Sequence, residues 1–286
     1  MANSTPAIIP EKYESRVQKE LFKTPVFFNT FQQMQFLTDL DKYLQSGDTV
    51  NVRNVAADTL TVSNRGTLGA DITLSDLTPA NIQLSIDAHK YIGFIVNNIE
   101  KKQNDINLTE VYGQKAGSLM VDTIEDAIYT ELATTTTSAG SAGVGLTQDL
   151  LLQSIQKLDE TDVPSDNRVL VVSAKGKREL LNIANFVQAE RLGSDEMIRK
   201  GGKDNARNFL GQFLGVDVYF SNAVASAASP TATNNIMYHK EALAGVIQMQ
   251  AFHDDYVPMK LGNVVTQEFV YGFKLLDVEK VVKLVS

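Results

Sequence analysis

The sequence predicts an α+β fold in which one long helix is flanked by strands that lie far apart in the chain. Three observations predict it. A helical pattern runs without proline from Leu108 to Ala133, and period-two alternation precedes it between Val50 and Ile86. After it, strand and helix patterns alternate until two further strand patterns, Val264 to Phe273 and Val278 to Val285, end the sequence with no helix of their own to cover them.

The helix is the element on which the rest is organised. Leu108, Val111, Tyr112, Ala116, Leu119, Met120, Ile124, Ala127, Ile128 and Leu132 recur at intervals of three and four, and Glu110, Gln114, Ser118, Asp122, Glu125 and Glu131 take the other side. Asn107 is the expected cap, with Glu110 three residues later in the manner of a capping box. Residues 108–133 make a rod of roughly 39 Å at 1.5 Å per residue. Its apolar stripe requires a partner surface, because ordering the backbone costs about 1–2 kcal/mol per residue.

In chain order, residues 1–45 read as an arm. Glu11 to Phe22 carries Tyr13, Val17 and Leu21 at fourfold spacing, and the cluster Val26, Phe27, Phe28 and Phe31 follows Pro25. Those phenylalanines pack either on their own chain or on another subunit, and the sequence leaves both open. Residues 46–82 read as an extended β-hairpin with a polar, glycine-bearing tip, Ser63 to Asp71. So little apolar surface leaves a two-stranded ribbon marginal by itself, so it needs another surface, with a partner subunit as the natural one and a free surface hairpin as the alternative. Tyr91, Ile92, Phe94, Ile95 and Val96 read as a strand apolar on both faces and entering the core.

The low-complexity run TTTTSAGSAGVG after the helix reads as a connection and a domain boundary. Leu146 to Leu158 then reads as a helix capped by Thr147, Arg168 to Ser173 as a buried strand, Lys177 to Phe186 as a third helix, and Val216 to Phe220 and Ala242 to Gln250 as strands. This is a mixed α/β domain from about 140 to 257. Pairing the two terminal strands with Ile82 to Val96 against the long helix would make the remainder a discontinuous domain into which the α/β part is inserted.

Composition narrows the function. Hydrophobic residues are 43% and charged residues 21%, which is ordinary globular usage and argues against wholesale disorder. Without cysteine there are no disulfides, thiolate metal sites or cysteine nucleophiles. The first residues, MANSTPAIIP, hold neither a basic nor an apolar leader region, and no run is long enough for a membrane span, so a soluble cytoplasmic product is expected. The net charge of -8 opposes adhesion of the whole molecule to DNA or anionic lipid. Residues 168–208 are locally basic, with nine Lys/Arg against five Asp/Glu. No aromatic base-stacking pattern accompanies that excess, so it reads as a charge-mixed surface.

The motifs that could carry chemistry do not complete themselves. His89, His239 and His253 form no metal-ligand spacing, even with Asp254 and Asp255 adjacent. The glycines of residues 140–145 lack the lysine of a phosphate loop, and Ser154 with Lys157 lacks the partner motifs of serine acyltransferases. No catalytic residue, cofactor or metal is expected.

The order of the elements, and a series of short matches spread over residues 8–286, resemble the major capsid (coat) proteins of tailed bacteriophages. Ile82, Leu84, Ile86, Lys90, Tyr91, Phe94 and Val96 fit the family's alternating strand running into a Lys-Tyr and an aromatic-x-Val pair. Gly215 to Asn222 fits its glycine followed by a short apolar-Asp-Val-Tyr strand ending in Ser-Asn; His239, Lys240, Glu241 and Ala242 fit its His-Lys-Glu-Ala turn; and Val270, Tyr271 and Gly272 fit the returning strand. The chain departs from the pattern at Asn97 and Asn98, where an acidic pair is usual, and in lacking a proline around Leu275 to Asp277.

The resemblance implies the Hong Kong ninety-seven-type shell fold. It would comprise an N-terminal arm (1–45), an extended loop (46–82), a peripheral domain (83–139 and 258–286) with the long helix as its spine, and an axial domain (140–257). It also implies self-assembly into pentamers and hexamers of an icosahedral head that encloses double-stranded DNA, formed in the cytoplasm of a bacterial host, with scaffolding, portal and decoration proteins as further partners and no membrane. Phe27, Phe28, Phe31, Arg53, Asn64, Arg65 and Asp71 are the candidate intersubunit contacts. Two other readings stand beside it: an encapsulin-like compartment shell enclosing protein cargo and, more distantly, an enzyme of unrecognised class.

Overall fold

Among the described residues the β-branched and aromatic segments separate into three sheets, and the long helix joins two of them. A computed structural model describes residues 26, 27, 30, 49–54, 80–97, 108–183, 208–226, 233–249 and 253–286. The expected helix at Glu11 to Phe22 and the hairpin tip fall outside these residues, as does the Asn107 cap. Strands β1 (Thr49–Asn54) and β2 (Ala80–Ser85) pair antiparallel, with Val50 opposite Leu84 and Val52 opposite Ile82.

Strand β3 (Ala88–Asn97) leads to helix α1 (Leu108–Leu132). The buried line of α1 runs through Gly113, Ala116, Gly117, Met120, Val121, Ile124, Glu125, Ile128, Tyr129 and Leu132. That is the helical period expected, displaced at several positions, and Tyr112 of the expected stripe is exposed. Leu119 is 52% exposed and Glu125 only 5%. The displacement has a physical cause: glycines 113 and 117 occupy the covered line, and a reading weighted towards large apolar residues passes over them.

After α1 the chain forms β4 (Ser138–Gly140), α2 (Gln148–Glu160), β5 (Arg168–Val172), α3 (Ala174–Leu181), β6 (Phe209–Phe213), β7 (Val216–Phe220) and β8 (Asn234–His239). Thr147 caps α2, its hydroxyl accepting from the Leu150 N–H at 3.3 Å, and Ser173 caps α3 in the same way. The last strands are β9 (Leu243–Met249), β10 (His253–Val257), β11 (Gly262–Leu275) and β12 (Val281–Val285).

One sheet is built on β11, with β3 along one side and β10 and β9 along the other, all antiparallel. The other sheet has six strands in the order β4-β12-β8-β5-β7-β6. The expected pairing of both terminal strands with β3 therefore holds for β11 and fails for β12, which joins β8 and β4 in the six-stranded sheet. The run read as a loose connection after α1 is tied down too, since Ser138–Gly140 pairs parallel with β12. Lys283 of β12 reaches back to the Ala133 and Thr135 carbonyls at the C-terminal end of α1, where a cation offsets the negative end of the helix.

Residues Arg168–Val172 are buried at every position because the sheet has a core on each face. Val169 and Val171 face one core with Ile236, Tyr238, Val281 and the α1 side chains Met120, Ile124 and Ile128. Leu170 and Val172 face the other, with Leu151 and Leu158 of α2 and Leu180 of α3. At the far end of the β11 sheet, β2 crosses one face: Leu84 packs on Val246, and a Cβ at Gly272 would overlap the Ser85 carbonyl oxygen. Only glycine admits that crossing.

Candidate functional site

Several of the residues that could have carried chemistry have a structural occupation. Ser154 is buried in α2 and donates to the Leu150 carbonyl at 2.8 Å, while Lys157 donates to the Ser138 carbonyl, so the two do not act as a pair. Leu146, which follows the glycines of residues 140–145, donates its N–H to the Glu179 carboxylate at 2.7 Å. A carboxylate held there opposes a phosphate. His239 is shifted below its usual range by burial, and its Nδ1 accepts the Glu241 N–H at 3.3 Å, which fixes the turn between β8 and β9. Asp217 is raised, first by burial, with Lys240 and the Gln212 amide opposing the shift. Among the described residues no three His, Asp or Glu groups converge to hold a metal ion, and no helix is long and apolar enough to cross a membrane.

The arm does build something. Phe27 is 0% exposed, its ring lying 6.3 Å from that of Tyr129 and 6.2 Å from that of Tyr238. Its backbone N–H donates to Glu125 at 3.2 Å, which accounts for a carboxylate on the covered side of α1. Thr30 Oγ1 lies 2.6 Å from the Tyr238 hydroxyl, whose ionisation burial pushes well beyond the usual tyrosine range. Thus Phe27, a candidate intersubunit contact from sequence, is taken up by its own chain. Arg53 lies on β1 opposite Asn81. Phe28, Phe31, Asn64, Arg65 and Asp71 lie outside the described residues.

Sequence reasoning missed the exposed apolar groups. Tyr91 is 78% exposed and Ile95 is also exposed, so β3 is not covered on both faces as expected. Its Ile92, Phe94 and Val96 side turns towards α1, where the Phe94 and Tyr112 rings lie 5.8 Å apart. The other side is His89, Tyr91, Gly93, Ile95 and Asn97, and the polar ends of that series were the signal available in sequence. A second group sits at the β10–β11 hairpin, where Tyr256, Met259 and Leu261 are exposed, Met259 at 96%. Leu214 is exposed at the β6–β7 turn. Single exposed apolar residues are common on any protein, but three at one hairpin end and two on one strand face mark surfaces suited to contact.

The sequence model of the phage capsid protein family matches residues 80–284. A structure from Mycobacterium phage Che8 is similar with a TM-score of 0.74 and 22% identity over 91% of each chain. The capsid structure of Cyanophage P-SCSP1u gives 0.60 and 14% over 84% of each chain. The crystal structure of a virus-like particle from Pyrococcus furiosus gives 0.57 and 14%, over 97% of this chain and 100% of that one. No curated protein sequence matches the chain.

Proposed function

The chain belongs to the phage capsid protein family, and from that premise we propose that it is the major capsid protein whose copies close, as pentamers and hexamers, into the icosahedral head of a tailed phage around double-stranded DNA. It is a structural protein of the virion shell. The observation that carries the reading is the extent of the family match, which takes in β2, β3, α1 and both larger sheets. It favours a phage head over an encapsulin-like compartment and over an enzyme.

In this reading residues 1–45 are the arm, 46–82 the extended loop, 83–139 with 258–286 the peripheral domain, and 140–257 the axial domain. Two sets of pairings tie the last two together: β9 and β10 with β11, and β12 with β8. Such double attachment suits a wall subunit that must transmit load between its parts. Assembly in the bacterial cytoplasm, with scaffolding, portal and decoration proteins as partners, belongs to the same proposal.

The test is assembly. Purified protein, with a scaffold where one is required, is expected to sediment as megadalton particles that look hollow by electron microscopy, and heads recovered from their source are expected to hold DNA. Only monomers or dimers under every assembly condition, or particles filled with a protein cargo, would sink the proposal.

A further inference from the structure

The chain passes between the six-stranded sheet and the β11 sheet at two short crossings, the turn from β8 to β9 and the return from β11 to β12. They lie side by side. The Leu276 N–H donates to the Ala242 carbonyl at 2.8 Å, and the His239 N–H donates to the Lys280 carbonyl at 3.0 Å. His239 is buried where the two meet. We propose that the neutral His239 imidazole pins these crossings together and that its protonation in mild acid releases them, which gives the subunit an acid-sensitive joint between its two larger sheets. The inference concerns the subunit alone and does not depend on the shell reading.

The geometry of the turn requires an uncharged ring. The Ala242 N–H donates back to the His239 carbonyl at 3.0 Å, and the Lys240 N–H donates to the Asn167 carbonyl at 3.2 Å. Nδ1 of the ring accepts the Glu241 N–H at 3.3 Å, so the neutral imidazole carries its proton on Nε2. The Asp166 backbone carbonyl takes a hydrogen bond from the ring as well. A second proton has Nδ1 alone to go to, and there it meets the Glu241 N–H, donor against donor. To accept it the ring must leave that N–H, and the turn loses its side-chain brace.

The charges around the ring set the direction. Burial acts most strongly and holds the ring neutral; the Glu241 carboxylate opposes it, Lys280 adds to it, and Asp166 opposes it. Arg168 stands opposite His239 in the β5–β8 register, with its guanidinium engaged by Asp159 and the Val163 carbonyl. Lys280 itself lies 3.9 Å from Glu241 and 3.8 Å from Asp277, one carboxylate on each crossing, so an imidazolium beside it would contest that bridge. The outcome is a ring shifted below the usual histidine value. Its contribution is therefore full above that value and is lost as pH falls through the folded one. His89 and His253, the other two histidines, are exposed and supply no such burial.

Amide hydrogen exchange of the unaltered protein tests the joint, over a series from about pH 7.5 to about pH 4.5 that spans the histidine range, with rates corrected for the intrinsic effect of pH. The amides of His239, Glu241, Ala242 and Leu276 are expected to lose at least about tenfold in protection across the series, while those of Val169 to Val171 in β5 keep theirs. The ring resonances of His239 are expected to titrate at the same midpoint, below those of His89 and His253. His239→Asn places an acceptor near the position of Nδ1 that takes no proton in this range, and it is expected to hold the turn protected throughout. Protection that does not change with pH, a ring that titrates without loss of protection, or the same acid loss in a folded His239→Asn would each overturn the proposal. If that variant does not fold, the agreement or disagreement of the two midpoints in the unaltered protein decides it.

Discussion

Asp126 follows Asp122 by one helical turn on the outer side of α1, and burial, then the Asp122 charge, raises its carboxyl above the ordinary aspartate value. A carboxyl raised in the fold binds its proton more tightly there than in the unfolded chain. Its stabilising contribution is therefore full below the unfolded value and is lost as pH rises through the folded one. Asp126→Asn should raise the melting temperature near pH 7, and the gain should shrink as pH is lowered into the aspartate range. Melts at the two pH values decide it, and a gain that does not depend on pH would mean that charge is not the cause. The covered line of α1 makes a second prediction at this scale. Ile124→Ala should cost about 2–5 kcal/mol, as for other fully buried aliphatic side chains. Leu119→Ala should stay within about 0.5 kcal/mol, since Leu119 lies outward. Urea unfolding of both variants checks the facing, and equal losses would contradict it.

Among the elements, the β6–β7 connection is a two-residue turn in which Leu214 and Gly215 hold φ of 49° and 83°. Such hairpin turns favour Asn-Gly, because a leucine in the left-handed region costs roughly 1 kcal/mol. Leu214→Asn should thus stabilise the subunit by about 0.5–1 kcal/mol, read as a higher urea midpoint at unchanged slope. A lower midpoint would show that Leu214 has packing that the turn geometry does not reveal. What the sequence made legible at this scale was local. The Thr147 cap, the VLVV strand and the period of α1 all depend on residues a few positions apart. What it hid depends on distant partners. Ser138–Gly140 has no strand signature and is a strand because β12 lies beside it. Val281–Val285 announces a strand but not its sheet. Glu125 reads as a surface residue until the Phe27 N–H, 98 residues away in sequence, is brought to it.

For the whole molecule, the order of the elements was legible because many weak matches had to fall in one sequence, whereas the exposed apolar residues were not, because the exposure of Tyr91 or Met259 depends on how the rest of the described chain packs. Charge is legible at any scale, and it makes the final prediction. Each subunit carries a net charge of -8, so many copies around a lumen present a wall that repels the DNA backbone on average, and only local basic positions oppose this. Closure must therefore come from contacts between subunits. Heterologous contacts of this kind close into rings when the rotation permits, and rings with curvature close into shells. On the proposed reading, DNA inside such a wall would be held by confinement and would not be a component of assembly. Particles formed from purified protein, with a scaffold where one is required, should then assemble in the presence of nuclease, show the ultraviolet spectrum of protein alone, and keep the same size as particles formed without nuclease. Assembly that stops when nucleic acid is removed and resumes when it is restored would place DNA in the wall's own energetics and refute this account of closure.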